Sequence, residues 1–188
     1  VMGTTVVIAQ YFGAKDYVKV KRAIDTMYVY SAVAGIITTV AGIVLAGPML
    51  RLLGLPEEIM PQAILYLRIY FGGIIIFFGY NGTSAVLRGL GDSKTPLYFL
   101  IIATIANIIL VLLFVGLFDW GIAGAAYATL LANGIAFALA IYWLNKTHKL
   151  IRIAIKGLHF DREIFRQSIR IGLPTGIQQT FVALGSLA

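Results

Sequence analysis

The stretch Thr95–Phe118, TPLYFLIIATIANIILVLLFVGLF, contains no acidic, basic or histidine side chain. At about 1.5 Å of rise per residue, such a helix is about 36 Å long and crosses the ~30 Å hydrocarbon core of a bilayer. Asp119 alone separates it from Trp120–Asn145, a second charge-free run of similar length. Two antiparallel helices joined by so short a turn are forced into a hairpin. Working outward, Thr26–Leu50 and Ile69–Leu87 are also uncharged, as is Ile171–Ala188. Val1–Ala14 reads as the tail of a helix that began upstream. Successive helices of a soluble protein rarely lack charge on every face, so these runs predict an all-α, polytopic membrane bundle.

Composition agrees. Of 188 residues, 60% are hydrophobic and 12% charged, about half the charged fraction of an average soluble domain. There is no cysteine, which excludes disulfide scaffolds, thiolate metal sites and cysteine nucleophiles. The net charge of +7 is a topology signal. Loops 15–22, 88–94 and 146–170 hold thirteen Lys and Arg, whereas the intervening loops hold Arg51 and, at a helix end, Arg68. The basic side is cytoplasmic. Nucleic-acid binding has no recognition motif to support it. Aromatic residues at the run ends, among them Tyr28, Tyr30, Tyr66, Tyr70 and Trp120, are expected at headgroup depth. Arg68, between two of these tyrosines, is expected to snorkel outward.

Along the chain, Thr95 and Pro96 read as N-cap and first helical residue. Phe71-Gly72-Gly73 and Pro174 are candidate bending points. Gly124, Ala128, Ala132, Ala136 and Ala140 recur at every fourth position, a strip that lets a neighbouring helix approach closely. The chain divides into membrane helices over 1–145, a cytoplasmic connection over 146–170 and the start of a further helix over 171–188. Within the connection Arg162, Arg166 and Arg170 recur at i, i+4, with Phe165 and Ile169 on another face. This pattern predicts an amphipathic helix lying along the membrane surface, in contact with anionic lipid.

No charged-residue constellation inside the runs offers acid–base, nucleophilic or metal-hydrolytic chemistry, and an enzyme is not expected. Gly89-Leu90-Gly91 follows a membrane helix rather than a strand, which removes a nucleotide-loop reading. What remains is polar and uncharged. Asn81, Asn107, Thr129, Asn133 and Gln178 are the cavity candidates, because amides and hydroxyls in hydrocarbon must pair with one another or line a wet cavity. Asn107 and Thr129 lie near the middle of adjacent antiparallel helices and share a depth. Their oxygens suit a hard cation such as Na⁺, although a full site would also want a carboxylate.

The segments Gln10-Tyr11-Phe12-Gly13-Ala14-Lys15-Asp16, Ala85 to Pro96, Ala106 to Leu110 and Gly121 to Thr129 resemble the multidrug and toxic compound extrusion (MATE) transporters. The resemblance implies two six-helix lobes, of which this chain would hold the end of helix 2, helices 3 to 6 and the start of helix 7. It implies a multi-pass protein of the cell membrane that exports organic cations and amphiphiles against H⁺ or Na⁺ entry, with no cofactor. It also implies that Asn107 and Thr129 are cation-site positions. The family's aspartate four residues after that asparagine is Val111 here, so binding by this stretch alone is expected to be weak or nil. The alternatives are a flippase for lipid-linked precursors, disfavoured by the absence of cationic residues in the runs, and a non-transporting scaffold.

Overall fold

The computed structural model describes residues 2–147 and 158–185. The described residues form helices and no strand: α1 Met2–Gly13, α2 Tyr17–Leu52, α3 Met60–Gly72, α4 Ile74–Gly89, α5 Lys94–Val111 continued by a π-helical stretch Leu112–Leu117, α6 Gly121–Thr147 and α7 Arg162–Gly185. Three helical rods, Tyr17–Leu52, Lys94–Leu117 and Gly121–Thr147, are long and apolar enough to cross a membrane, and a fourth crossing results if α3 and α4 count as one span. The chain is an all-α, multi-pass membrane protein. His148, Lys149, Arg152 and Lys156 of the expected cytoplasmic connection lie outside the described residues, as do the side chains of Gln179 and Thr180.

The helices gather into two compact units, one of Val1–Tyr30, Asn81–Pro96 and Ile141–Ala188, the other of Ser31–Tyr80 and Leu97–Ala140. Loops 15–22 and 88–94, and the described residues of 146–170, belong to the first unit. Two helix ends in that unit close in the same way: Asp16 N–H bonds to Tyr11 C=O and Asp92 N–H to Leu87 C=O, both at five-residue spacing. Each closure needs one left-handed residue, supplied by Lys15 (φ 59°) and Gly91 (φ 91°). Helix α5 starts at Lys94, one residue before the expected cap. The Asp92 carboxylate, not Thr95, serves its amino terminus, accepting the Thr95 N–H at 3.0 Å. Tyr28 and Tyr30 are likewise not headgroup anchors. Their hydroxyls turn into the first unit, Tyr28 bonding Thr83 at 2.5 Å and Tyr30 bonding Thr4 at 2.7 Å.

Helix α7 departs most from expectation. The arginine-bearing residues and the following apolar run are not two elements: one helix spans Arg162–Gly185 with Pro174 inside it. Its first turns dock on α1 and α2. Asp161 caps it, accepting the Glu163 and Ile164 N–H groups; its own N–H donates to Thr26 Oγ1 at 2.9 Å, and Arg22 lies 3.8 Å from its carboxylate. Tyr11 donates to Gln167 at 3.0 Å. Helix α1 crosses α7 at Gly3, where a Cβ would meet the Ser168 carbonyl oxygen at 2.0 Å; only glycine permits that approach.

In the second unit the predicted run Ile69–Leu87 is broken at Gly72-Gly73, where α3 and α4 meet at 44°. The bend expected there is present, and Gly73 is packed too closely for a side chain: its Cβ would lie 2.1 Å from Leu130. Thr39 of α2 donates to the Phe71 carbonyl at 2.9 Å, just before the break. The small-residue strip of α6 is buried from Gly124 to Ala140.

The first unit also buries one charge. Asp25 is 3% exposed and pairs with Lys21 one turn earlier, whose side chain is 29% exposed. Removing the lysine strands a buried carboxylate, whereas removing the acid releases a lysine that already reaches water. Lys21→Met should therefore cost about 3 kcal/mol and Asp25→Asn about 1 kcal/mol, read as the larger and smaller fall in thermal midpoint in detergent. The opposite ranking would mean that the lysine, not the carboxylate, is the costlier group to leave unpaired.

Candidate functional site in the α5–α6 hairpin

The hairpin sets the geometry. Asp119 (φ 53°) and Gly121 (φ 54°) make the turn, and Trp120 folds back onto α5. Its N–H bonds to the Phe114 carbonyl at 2.9 Å and its ring stacks on that of Phe114 at 5.0 Å. Gly124 admits this fold-back, since a Cβ there would lie 3.0 Å from both Phe114 and Trp120 side chains. With the register fixed, Asn107 and Thr129 stand at similar distances from the turn, roughly 15–18 Å along their helices, which is near the middle of a bilayer core.

The structure brings the two together. Asn107 Nδ2 donates to Thr129 Oγ1 at 3.2 Å, Thr129 Oγ1 donates to the Ala125 carbonyl at 3.0 Å, and Asn133 Nδ2 donates to the Thr129 carbonyl at 2.8 Å. The direction of each bond follows from the donor inventory. The single threonine hydroxyl proton is committed to Ala125, so its oxygen accepts, and both asparagines must present their NH₂ ends. Both amide oxygens, Asn107 Oδ1 and Asn133 Oδ1, are left as acceptors without a protein donor among the described residues. Amide and hydroxyl oxygens are the donor type that hard cations take.

Val111 lies one turn beyond Asn107 on the inward stripe of α5 that begins with Phe99 and Ala103, and it is half-buried. It is also the last α-helical residue before the π-helical stretch Leu112–Leu117; irregular turns of this kind recur beside functional sites. No carboxylate enters the cluster from this stripe. Of the other candidates, Asn81 is half-buried on α4 and Gln178 exposed on α7. Both belong to the first unit, and Asn107, Val111, Thr129 and Asn133 to the second.

Two features escaped sequence reasoning. Asp25 looked like the loop-side border of an uncharged run, although Lys21 four residues before it was a visible signal for a helical ion pair. The two free amide oxygens depend on hydrogen-bond directions that no sequence pattern encodes.

This architecture defines the class as a helical, multi-pass membrane protein. The MatE family model matches residues 1–113, and the chain belongs to that family of transporters. It is 39% identical over 185 residues to a protein named probable multidrug resistance protein YpnP from Bacillus subtilis, with 98% of this chain and 41% of that protein covered. To the probable multidrug resistance protein NorM of Oceanobacillus iheyensis it is 26% identical, over 94% of this chain and 41% of the relative. Among solved structures, a MATE protein in a bent conformation superimposes with a TM-score of 0.90 at 27% identity, over 99% of this chain and 42% of that one. An inward-facing MATE structure gives 0.85 at 28% identity, over 92% and 40%. An outward-facing one gives 0.87 at 27% identity, over 99% and 42%. The chain spans about two fifths of the length of the relatives it matches.

The cluster makes an asymmetric prediction about stability. Thr129→Val keeps the shape but leaves the half-buried Asn107 amide unpaired, whereas Asn107→Leu removes only the donor and leaves the Thr129 hydroxyl still bonded to the Ala125 carbonyl. Thr129→Val should cost about 1 kcal/mol and Asn107→Leu about half of that, checked by thermal unfolding of both variants in the same detergent.

Proposed function

We propose that this chain supplies most of the amino-terminal lobe of a cation-coupled antiporter of the cell membrane, which exports organic cations and other amphiphiles by alternating access. Family membership and the names of the relatives support export of drugs. The near-equal likeness to inward-facing and outward-facing structures supports a lobe that keeps its internal fold as the transporter alternates.

The observation that carries the coupling part of this reading is the Asn107–Thr129–Asn133 cluster at mid-depth, with two amide oxygens free to accept. Its chemistry limits what it does. Neutral amides and a hydroxyl take up no proton near neutral pH, so this cluster itself serves Na⁺ and not H⁺. Without a carboxylate, the oxygens supply ion–dipole attraction alone, and binding by this stretch is weak. A parent transporter that couples to protons carries the titrating group outside these residues. Binding of the ion biases the lobe only through unequal affinity for the two states.

Val111→Asp in a full-length transporter containing this chain is the test. An added carboxylate one turn from Asn107 should raise Na⁺ affinity at least ten-fold, and efflux should become more steeply ion-dependent, both measured in proteoliposomes. If neither changes, Asn107, Val111 and Thr129 do not form the coupling site. Asn107→Ala in the same background should abolish the gain.

A further inference from the structure

We propose that the first turns of α7 form a binding surface for the headgroups of anionic phospholipids in the cytoplasmic leaflet, with Arg166 and Arg170 as the principal contacts. At about 100° per residue, Arg162, Arg166 and Arg170 advance only about 40° each around the helix. Ile169, Leu173 and Ile177 fall in the same sector. All three arginines are exposed, and the three apolar residues are 45%, 61% and 50% exposed. The surface reading derived from sequence, with charge on one face and grease on another, is thereby replaced. Charge and grease share one face and succeed one another along the axis, the arginines from 162 to 170 and the apolar residues from 169 to 177, overlapping at Ile169 and Arg170.

A helix lying flat on a membrane segregates the two across its axis. Axial segregation fits a helix that enters the bilayer at a slope, arginines first and the Ile169–Leu173–Ile177 ridge among the acyl chains. The face is fixed in orientation because the opposite side is committed: Ile164 and Ser168 are buried, and Gly3 of α1 leaves no gap at Ser168. From Arg162 to Arg170 is about 12 Å along the axis, against a headgroup layer of roughly 5–7 Å per leaflet. Arg162 therefore stands toward water, and Arg170, level with Ile169, reaches up to the phosphates from the edge of the acyl region. Among the described residues no carboxylate lies within ion-pair distance of these three guanidiniums, not even Glu163 on the same helix. Their forks are available for bidentate contact with phosphate. The apolar ridge on the same face selects a lipid over free phosphate. This inference rests on the membrane-spanning reading and is independent of the Asn107 cluster.

Native mass spectrometry of a full-length transporter containing this chain, titrated with phosphatidylglycerol or phosphatidylcholine in detergent, tests the surface. The unmodified protein should retain phosphatidylglycerol over phosphatidylcholine. Arg170→Gln should weaken phosphatidylglycerol retention roughly five-fold, and Arg166→Gln with Arg170→Gln roughly twenty-fold. The matching Lys pair, which keeps both charges without the forks and guards against a loss caused by misfolding, should fall between. Arg88→Gln, an exposed cation elsewhere in the same unit, should leave retention unchanged. Unaltered retention in both Gln variants would overturn the proposal and mean that protein covers this face; an equal loss in Arg88→Gln would overturn it as well, leaving only nonspecific charge attraction.

Discussion

Hydrocarbon offers no hydrogen-bond partner, so each polar group that this chain carries into the membrane has to find one inside the protein. The backbone meets that demand by being helical almost throughout. Several side chains meet it in pairs: Thr4 with Tyr30, Tyr28 with Thr83, Thr39 with the Phe71 carbonyl, Asn107 with Thr129; the buried hydroxyls of Ser31, Ser84 and Ser168 have no such partner among the described residues. Each pair ties one helix to another, so the same constraint that satisfies a hydroxyl also sets helix register. Interhelical bonds of this kind average only about 0.6 kcal/mol. Close packing at glycine contributes the rest of the specificity, at Gly3 on α7 and at Gly73 on α6. There a single methyl group would collide with a carbonyl oxygen or a leucine.

The α5–α6 hairpin illustrates how register becomes chemistry. The Phe114–Trp120 stack and the Trp120 N–H bond lock the turn, and the locked turn places Asn107 level with Thr129. Once the threonine hydroxyl has donated to its own helix, Asn107 must turn its NH₂ group to that oxygen, and Asn133 must turn its own NH₂ group to the Thr129 carbonyl. The acceptor-rich character of the cluster is thus a by-product of satisfying donors in a medium without water.

Much of this was legible in the sequence, for a specific reason. Uncharged runs of bilayer length have few other physical explanations, and one-residue separation of two such runs leaves only a hairpin, so the pairing of Asn107 with Thr129 could be counted out from Asp119. Local competition was harder to see. Thr95 and Asp92 are both good caps, and only the folded chain reveals that the carboxylate takes the Thr95 N–H. Tyr28 and Tyr30 carry the same amphipathic ring that marks a headgroup belt, and nothing in composition distinguishes a tyrosine pointing to lipid from one bonded to a threonine far along the chain. Helix α7 was divided in two because charge ends at Arg170, whereas backbone propensity does not change there.

The neutrality of the mid-membrane cluster has a consequence for how the lobe is driven. A carboxylate beside Asn107 would give the site a charge of −1 without a bound cation and 0 with one, and so different preferred surroundings in the two forms. Asparagine and threonine keep the same charge whether or not an ion is bound, so the difference between ion-bound and ion-free forms is only the ion's own charge, spread over dipoles. A bias that shallow moves a two-state equilibrium little, because a switch from 1:99 to 99:1 asks for about 5.5 kcal/mol of differential affinity. The π-helical stretch that follows Val111 is the place where this lobe departs from regular geometry next to the cluster.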